Sequence, residues 1–273
     1  MSGWSLVADT FQLPFMRTAL LAGCATGAAC AVIGVYVVLN RMVFLGAALA
    51  QLSAAGIAFG FLLGIHATAP AIIFAVGGVV LLAFRRGASL ITTDALLGVV
   101  FAVAWAASIL MVSRSAQGAE ELNHMLQGNI LTATHGDVRL LSALLAVIIL
   151  LHLLFARRFV FVSFDAETAR TIGLRTGLWR FLLYASLGVT IALTIHVVGI
   201  LVVFALLVLP PIGGLLLGRR LQSVFAVSVL LALAGVFAGL LLSFHADLSS
   251  GAAIVACLGV LVLLARLVSR RHT

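Results

Sequence analysis

Nine long apolar stretches, joined by short connections in which arginine-rich and arginine-poor segments alternate, constrain this chain more than any other feature. They run approximately Met16–Leu39, Phe44–Gly64, Pro70–Phe84, Ala95–Val112, Leu140–Ala156, Phe181–Ile195, Val197–Leu217, Ser223–Phe244 and Ala252–Val268. About 20 mostly apolar residues cross a bilayer as a helix, and a packed bundle accepts somewhat shorter ones. Because a helix satisfies its own backbone in lipid, the expected fold is an all-α polytopic membrane protein. The third and sixth stretches are short, and Phe181–Leu217 reads either as two spans or as one bent unit. The expectation is therefore eight or nine transmembrane helices.

The arginines set the orientation. Arg41, Arg85/Arg86, the run from Arg157 to Arg180, Arg219/Arg220 and Arg266/Arg270/Arg271 fall on alternate connections, which are assigned to the cytoplasm. The opposite connections hold Gly64–Ala69, residues 113–139, His196 and His245–Ser250, with Arg114 and Arg139 as their basic residues. This places the N-terminus outside and the C-terminus inside. No signal peptide is expected, since Arg17 precedes an apolar run too long for an h-region.

Composition narrows the function. Charged residues make up 9% of the chain, against about 25% in soluble proteins, which excludes soluble enzymes and disordered regulators. The net charge of +8 lies between apolar runs rather than on a nucleic-acid-binding face. All 16 basic residues are Arg. A phosphate-binding loop and Schiff-base chemistry both need Lys, so neither exists here, and any ATP used is bound by another chain. Cys24, Cys30 and Cys257 lie in apolar runs without metal or disulfide spacing and read as packing residues. Gly23/Gly27, Gly56/Gly60/Gly64 and Gly235/Gly239 recur at four-residue spacing, which places small residues on one helical face for close packing. An intramembrane enzyme needs convergent ionisable groups, and Ser108 and Ser186 have no His one or two turns away. A channel or secondary carrier is disfavoured, because this chain lacks the membrane-centre acids that proton or sodium coupling uses.

The most informative connection is Phe159-Val-Phe-Val-Ser-Phe-Asp-Ala-Glu-Thr-Ala-Arg-Thr-Ile-Gly-Leu-Arg175. Ser163 and Asp165 can cap a short helix, Asp165 and Glu167 suit its positive end, and Gly173 can close it in a left-handed turn. A helix of one or two turns is too short to persist alone.

Within this stretch, Phe164-Asp-Ala-Glu-Thr-Ala-Arg-Thr-Ile-Gly173 resembles the F-D-x-E-x-A-x-x-x-G coupling loop of the zinc/manganese permease family of ABC importers. Gly34–Gly46, His196–Pro211 and Leu242–Gly251 resemble that family's first-helix turn, its V-G-x-L-L-V-x-A-L-L-x-x-P segment and its L-S-Y-x-x-D-x-P-x-G turn, in the same order. The resemblance implies a single transmembrane permease domain over residues 1–273, with a cytoplasmic coupling loop at 157–180, in the bacterial inner membrane. It implies a second permease subunit, identical or different, separate ATPase subunits that hydrolyse the ATP, an extracytoplasmic solute-binding protein, and no cofactor in this chain. Phe164, Asp165, Glu167, Ala169 and Gly173 would form the ATPase-coupling element, with Arg170 and Arg175 either pairing with ATPase acids or facing solvent and headgroups.

The family's second helix carries G-D-A-L-S-H-A-x-x-P-G, with Asp and His on one face for a divalent ion. Here the segment reads Gly46-Ala-Ala-Leu-Ala-Gln-Leu-Ser-Ala-Ala-Gly56. Ala47 and Gln51 stand at the Asp and His positions, and Ser249 replaces a turn proline. The pathway residues expected are Ala47, Gln51, Ser53 and His196, and none is assigned as a metal ligand. Gln51 and Ser53 serve either an inter-helix hydrogen bond or the pathway. His196 serves either the pathway or a helix end. The resemblance implies a divalent metal as cargo, zinc before manganese, while the replaced Asp and His leave a chelated metal or non-metal solute as the alternative. His152 reads as packing or an interfacial anchor, His245 and Asp247 as capping of the last span or contact with a binding protein, Glu120, Glu121 and His124 as a solvated patch, and Asp94 as a helix start.

Overall fold

A computed structural model describes residues 10, 12–83, 92–114, 128 and 130–269. Among them are ten α-helices: α1 Pro14–Leu39, α2 Val43–Leu63, α3 Thr68–Ala83, α4 Thr93–Val112, α5 His135–Phe164, α6 Ala166–Thr171, α7 Thr176–Val198, α8 Ile200–Leu217, α9 Leu221–Ala246 and α10 Ser250–Ser269. A 3-10 turn, Ile130–Thr132, precedes α5. Eight helices are long and apolar enough to cross a membrane, and α3 is apolar but shorter at 16 residues. At 1.5 Å per residue α3 rises about 24 Å, less than the roughly 30 Å of a hydrocarbon core, so the described residues hold eight helices of spanning length and one shorter apolar helix.

The two-span alternative for Phe181–Leu217 is the one observed. Helices α7 and α8 have 23 and 18 residues, about 35 and 27 Å of rise. They part at Gly199, whose φ of 85° lies in the region open to glycine.

Helix α5 departs most from the expected bounds, starting at His135 rather than Leu140 and ending at Phe164 rather than Ala156. Its start is a reciprocal cap: Thr134 N–H donates to Asp137 Oδ2 at 2.9 Å and Asp137 N–H to Thr134 Oγ1 at 3.2 Å. At its far end Phe159 and Val162 are buried while Arg157 and Arg158 are exposed, so the helix passes amphipathically through the arginines. Ser163 therefore lies inside α5 and caps nothing. In α4 the cap is Thr92, whose hydroxyl accepts from Ala95 N–H at 3.2 Å, with Asp94 in the first turn. Arg85, Arg86, Glu120, Glu121, His124, Arg270 and Arg271 lie outside the described residues.

The chain divides into two compact units. One takes its residues from Met1–Val35, Leu126–Val147 and Val197–Thr273, the other from Tyr36–Met125 and Ile148–His196. In the first, α8, α9 and α10 pack on one another. A Cβ added at Gly239 would stand 2.4 Å from the Ile254 Cα, so α9 and α10 meet backbone to backbone. In the second, α2 packs on α3 and α4, and a Cβ at Gly56 would stand 2.4 Å from the Pro70 carbonyl oxygen. Gly64 is not part of that packing face. It has open space around it and ends α2 in the left-handed region at φ 66°. Its N–H bonds Phe61 O, and that of Ile65 bonds Gly60 O, which together satisfy the last carbonyls of the helix.

Candidate functional site

The six residues of α6 form a helix because both ends are closed. Asp165 accepts from the Thr168 N–H at 2.9 Å and from the Thr168 hydroxyl, satisfying an amide that a helix start leaves free. Those bonds, the hydroxyl first and the backbone N–H second, hold the Asp165 carboxyl below the usual aspartate range. Glu167 lies in the first turn, where its charge suits the helix dipole. At the far end Gly173 takes φ 84°, with Gly173 N–H bonded to Arg170 O and Leu174 N–H to Ala169 O, both at 3.0 Å. Ala169 is fully buried, while Phe164 and Ile172 are each 62% exposed. The helix thus presents two large apolar side chains at its margins. Arg170 Nε donates to Thr176 Oγ1 at 3.2 Å, tying α6 to the start of α7.

Helix α2 carries three of the four expected pathway residues. Ala47 and Gln51, four apart, share one face, whereas Ser53 stands about 200° around the helix from Gln51. Gln51 is 4% exposed and Ser53 fully buried. Neither Gln51 Oε1 nor Ser53 Oγ has a hydrogen-bond partner, so these oxygens do not make the inter-helix bond that was one reading of them. The contrast with other buried hydroxyls is direct. Ser108, Thr190, Thr194 and Ser228 each donate to the carbonyl four residues back, at 2.7–2.8 Å. Such back-bonding is the ordinary solution for a buried hydroxyl in a helix, and Ser53 does not use it. Thr26 on α1, also fully buried, leaves its Oγ1 unpartnered too. A buried acceptor without a donor costs about 1–3 kcal/mol.

His196 is exposed in the last turn of α7, so it is not buried within this chain. Among the described residues, no three His, Cys, Asp or Glu side chains converge to hold a metal. His245 donates from Nδ1 to Leu241 O at 2.9 Å, while Asp247 ends α9 at φ 51°. Asp247 therefore closes the helix before it rather than starting α10.

Sequence reasoning left His152 as a packing residue or an interfacial anchor and missed what surrounds it. His152 is 5% exposed and stacks on Phe159 at 5.0 Å between centroids, with Tyr36 at 5.2 Å. Its Nδ1 lies 2.9 Å from Ile148 O. A carbonyl only accepts, so Nδ1 carries the proton. Nε2 is then buried with no partner.

Comparison with known proteins gives this arrangement a family. The model of the ABC 3 transport family matches residues 12–269. The chelated iron transport system membrane protein of Yersinia pestis is 29% identical over 252 residues, covering 92% of this chain and 84% of that protein. The manganese transport system membrane protein of Synechocystis is 28% identical over 264 residues, covering 96% and 85%. Among solved structures, PsaBC from Streptococcus pneumoniae in complex with Fab superposes with a TM-score of 0.87 at 24% identity, covering 96% of this chain and 94% of that one, and so shares the fold. Nine apolar helices among the described residues, a short helix capped at both ends and a family match from residue 12 to residue 269 converge, and the chain belongs to the ABC 3 transport family.

Proposed function

We propose that this chain is the pathway-forming permease subunit of an ATP-binding-cassette importer for a divalent metal ion, with ATP hydrolysed by a separate subunit. The observation that carries the reading is α6, six residues closed at both ends with Phe164 and Ile172 exposed at its margins. A helix this short persists only with packing from outside itself; Ala169 is packed within the chain, and an ATPase docked on the exposed Phe164, Asp165, Glu167 and Gly173 supplies the rest. An extracytoplasmic binding protein delivers the cargo, and a second permease subunit, identical or different, completes the pathway. Relatives are named for manganese and for chelated iron, so manganese and iron stand beside the zinc that the family resemblance led us to expect.

A second reading keeps the permease and changes the cargo. Ala47 offers no ligand, and Gln51 and Ser53 offer neutral oxygens, a set that holds a bare transition metal weakly. The neutral Gln51 amide, on the face shared with Ala47, suits the polar shell of a chelated metal or a non-metal solute, and the relative named for chelated iron favours this version.

The test is ATPase activity of the chain reconstituted with its ATPase and binding protein and titrated with Mn²⁺, Fe²⁺ and Zn²⁺. Selective stimulation by one ion is expected. Silence toward all three moves the cargo to the second reading, and failure of the ATPase to co-purify with the chain sinks both.

A further inference from the structure

A continuous run of rings joins the flanks of α6 to the turn that starts α2. Trp179, in the first turn of α7, lies beneath the Arg158 guanidinium at 4.9 Å and meets Phe159 edge-on at 5.6 Å. Phe159 stacks on His152 at 5.0 Å with 26° between planes, and both touch Tyr36, at 6.1 and 5.2 Å. The four rings are between 1% and 9% exposed. The Tyr36 carbonyl accepts from Asn40 N–H at 2.9 Å and from Asn40 Nδ2 at 2.7 Å, which opens the Asn40–Met42 turn between α1 and α2. Met42 accepts the Tyr184 hydroxyl of α7 at its sulfur and is the residue on which α2 begins.

Both ends of the run are tied. Phe159 stands on α5 and Trp179 on α7, the helices on either side of α6, and the Arg170–Thr176 bond clamps α6 to α7 three residues before Trp179. Close-packed rings yield little under load, so displacement at one end is transmitted rather than absorbed. The middle of the run holds the one titratable side chain in it that lacks a full set of partners, the Nε2 lone pair of His152. An unmet buried acceptor is unfavourable, and a shifted stack that supplied it with a donor would be favoured by that bond.

We propose that Trp179, Phe159, His152 and Tyr36 are positioning residues that carry movement of α6 to the Asn40–Met42 turn and so to α2, the helix bearing Ala47 and Gln51. The proposal rests on the reading of α6 as the ATPase-docking helix. A packed chain between two sites demonstrates coupling only when breaking it changes the coupling, so the readout is coupling and not activity alone.

The experiment uses the full chain in complex with its ATPase. Cys24, Cys30 and Cys257 are replaced, and Ala47→Cys reports thiol labelling on α2 with and without ATP plus vanadate. In the otherwise unaltered chain, nucleotide trapping changes the labelling rate. In Trp179→Leu the ATPase still co-purifies and hydrolyses ATP, while that change shrinks about fivefold or more; Trp179→Phe keeps it. Should Trp179→Leu lower the yield of complex, His152→Leu reads the same link from the middle of the stack. A nucleotide-dependent change of unaltered size in an assembled Trp179→Leu or His152→Leu complex overturns the proposal. Loss of the ATPase from the unaltered chain instead overturns the docking reading on which it rests.

Discussion

Asp165 illustrates how much one side chain governs in a short helix. It closes the start of α6 through two bonds from Thr168, and its carboxyl is held below the usual range by them. For a carboxylate with a depressed folded value, the stabilisation is complete above its unfolded range and is lost as pH falls through the depressed folded one. The cap of α6 is therefore in place at neutral pH and is lost as pH falls below the usual aspartate range and Asp165 is protonated. Asp165→Ala is expected to weaken ATPase association severalfold at pH 7, measured by surface plasmon resonance on detergent-solubilised chain. The same substitution should make little difference at a pH where Asp165 is already protonated. Equal affinities of the two chains at pH 7 would remove Asp165 from the docking element. That Asp165 and Gly173 act as caps was legible in the sequence, because capping depends on residue type and spacing. That Ser163 does not cap was not legible, because the burial of Phe159 and Val162 extends α5 past it.

At the scale of the element, α8 passes through Pro210 and Pro211 without ending. Pro211 has no N–H, so the Leu207 carbonyl loses its helical donor. Gly34 on α1 stands against that carbonyl, and an added Cβ would lie 2.2 Å from Leu207 O and 2.8 Å from Pro211 Cγ. The approach brings a Cα–H group to the freed oxygen, a weak but recurring interaction at helix crossings. Gly34→Ala is expected to destabilise the chain by about 1–3 kcal/mol through overpacking. Gly27→Ala, whose Cβ would find ordinary contacts at 3.5–3.6 Å, should change stability by less than about 0.5 kcal/mol. Thermal unfolding in detergent compares the two, and similar shifts for both would show that α1 and α8 relax around a methyl group at Gly34. The glycine spacing predicted close packing for Gly23, Gly27, Gly56, Gly60, Gly235 and Gly239, each of which has a neighbouring helix or turn within contact of an added Cβ. The Gly34–Leu207 contact was not readable, since nothing in one chain segment reports which distant carbonyl a proline has freed.

For the whole molecule the question is what crosses it. The face of α2 that carries Ala47 and Gln51 has the helical spacing for a carboxylate and an imidazole without having either group. Ala47→Asp combined with Gln51→His restores that pair one turn apart. Zn²⁺ binding to the purified chain, followed by calorimetry, is expected to strengthen about tenfold or more. Unchanged binding would mean that this face of α2 is closed to the cargo, and the pathway reading of Ala47 and Gln51 would fall. The same double variant separates the two cargo readings: under the chelate reading it should slow transport of the intact complex while gaining affinity for the bare ion.

The sequence by itself determined the class of the molecule, the approximate course of its apolar helices and the position of the short capped helix α6. Apolar length, arginine alternation and capping residues act over one helix or one turn, and each is written in consecutive residues. It did not determine which buried oxygens would remain unpartnered, that His196 would be exposed, or that Trp179, Phe159, His152 and Tyr36 would form one stack. Those depend on residues more than a hundred positions apart meeting in space, as Tyr36 and His152 do. Only the packing of helices against one another decides which side chains share a neighbourhood, because each apolar helix face is compatible with many partners until its shape is matched.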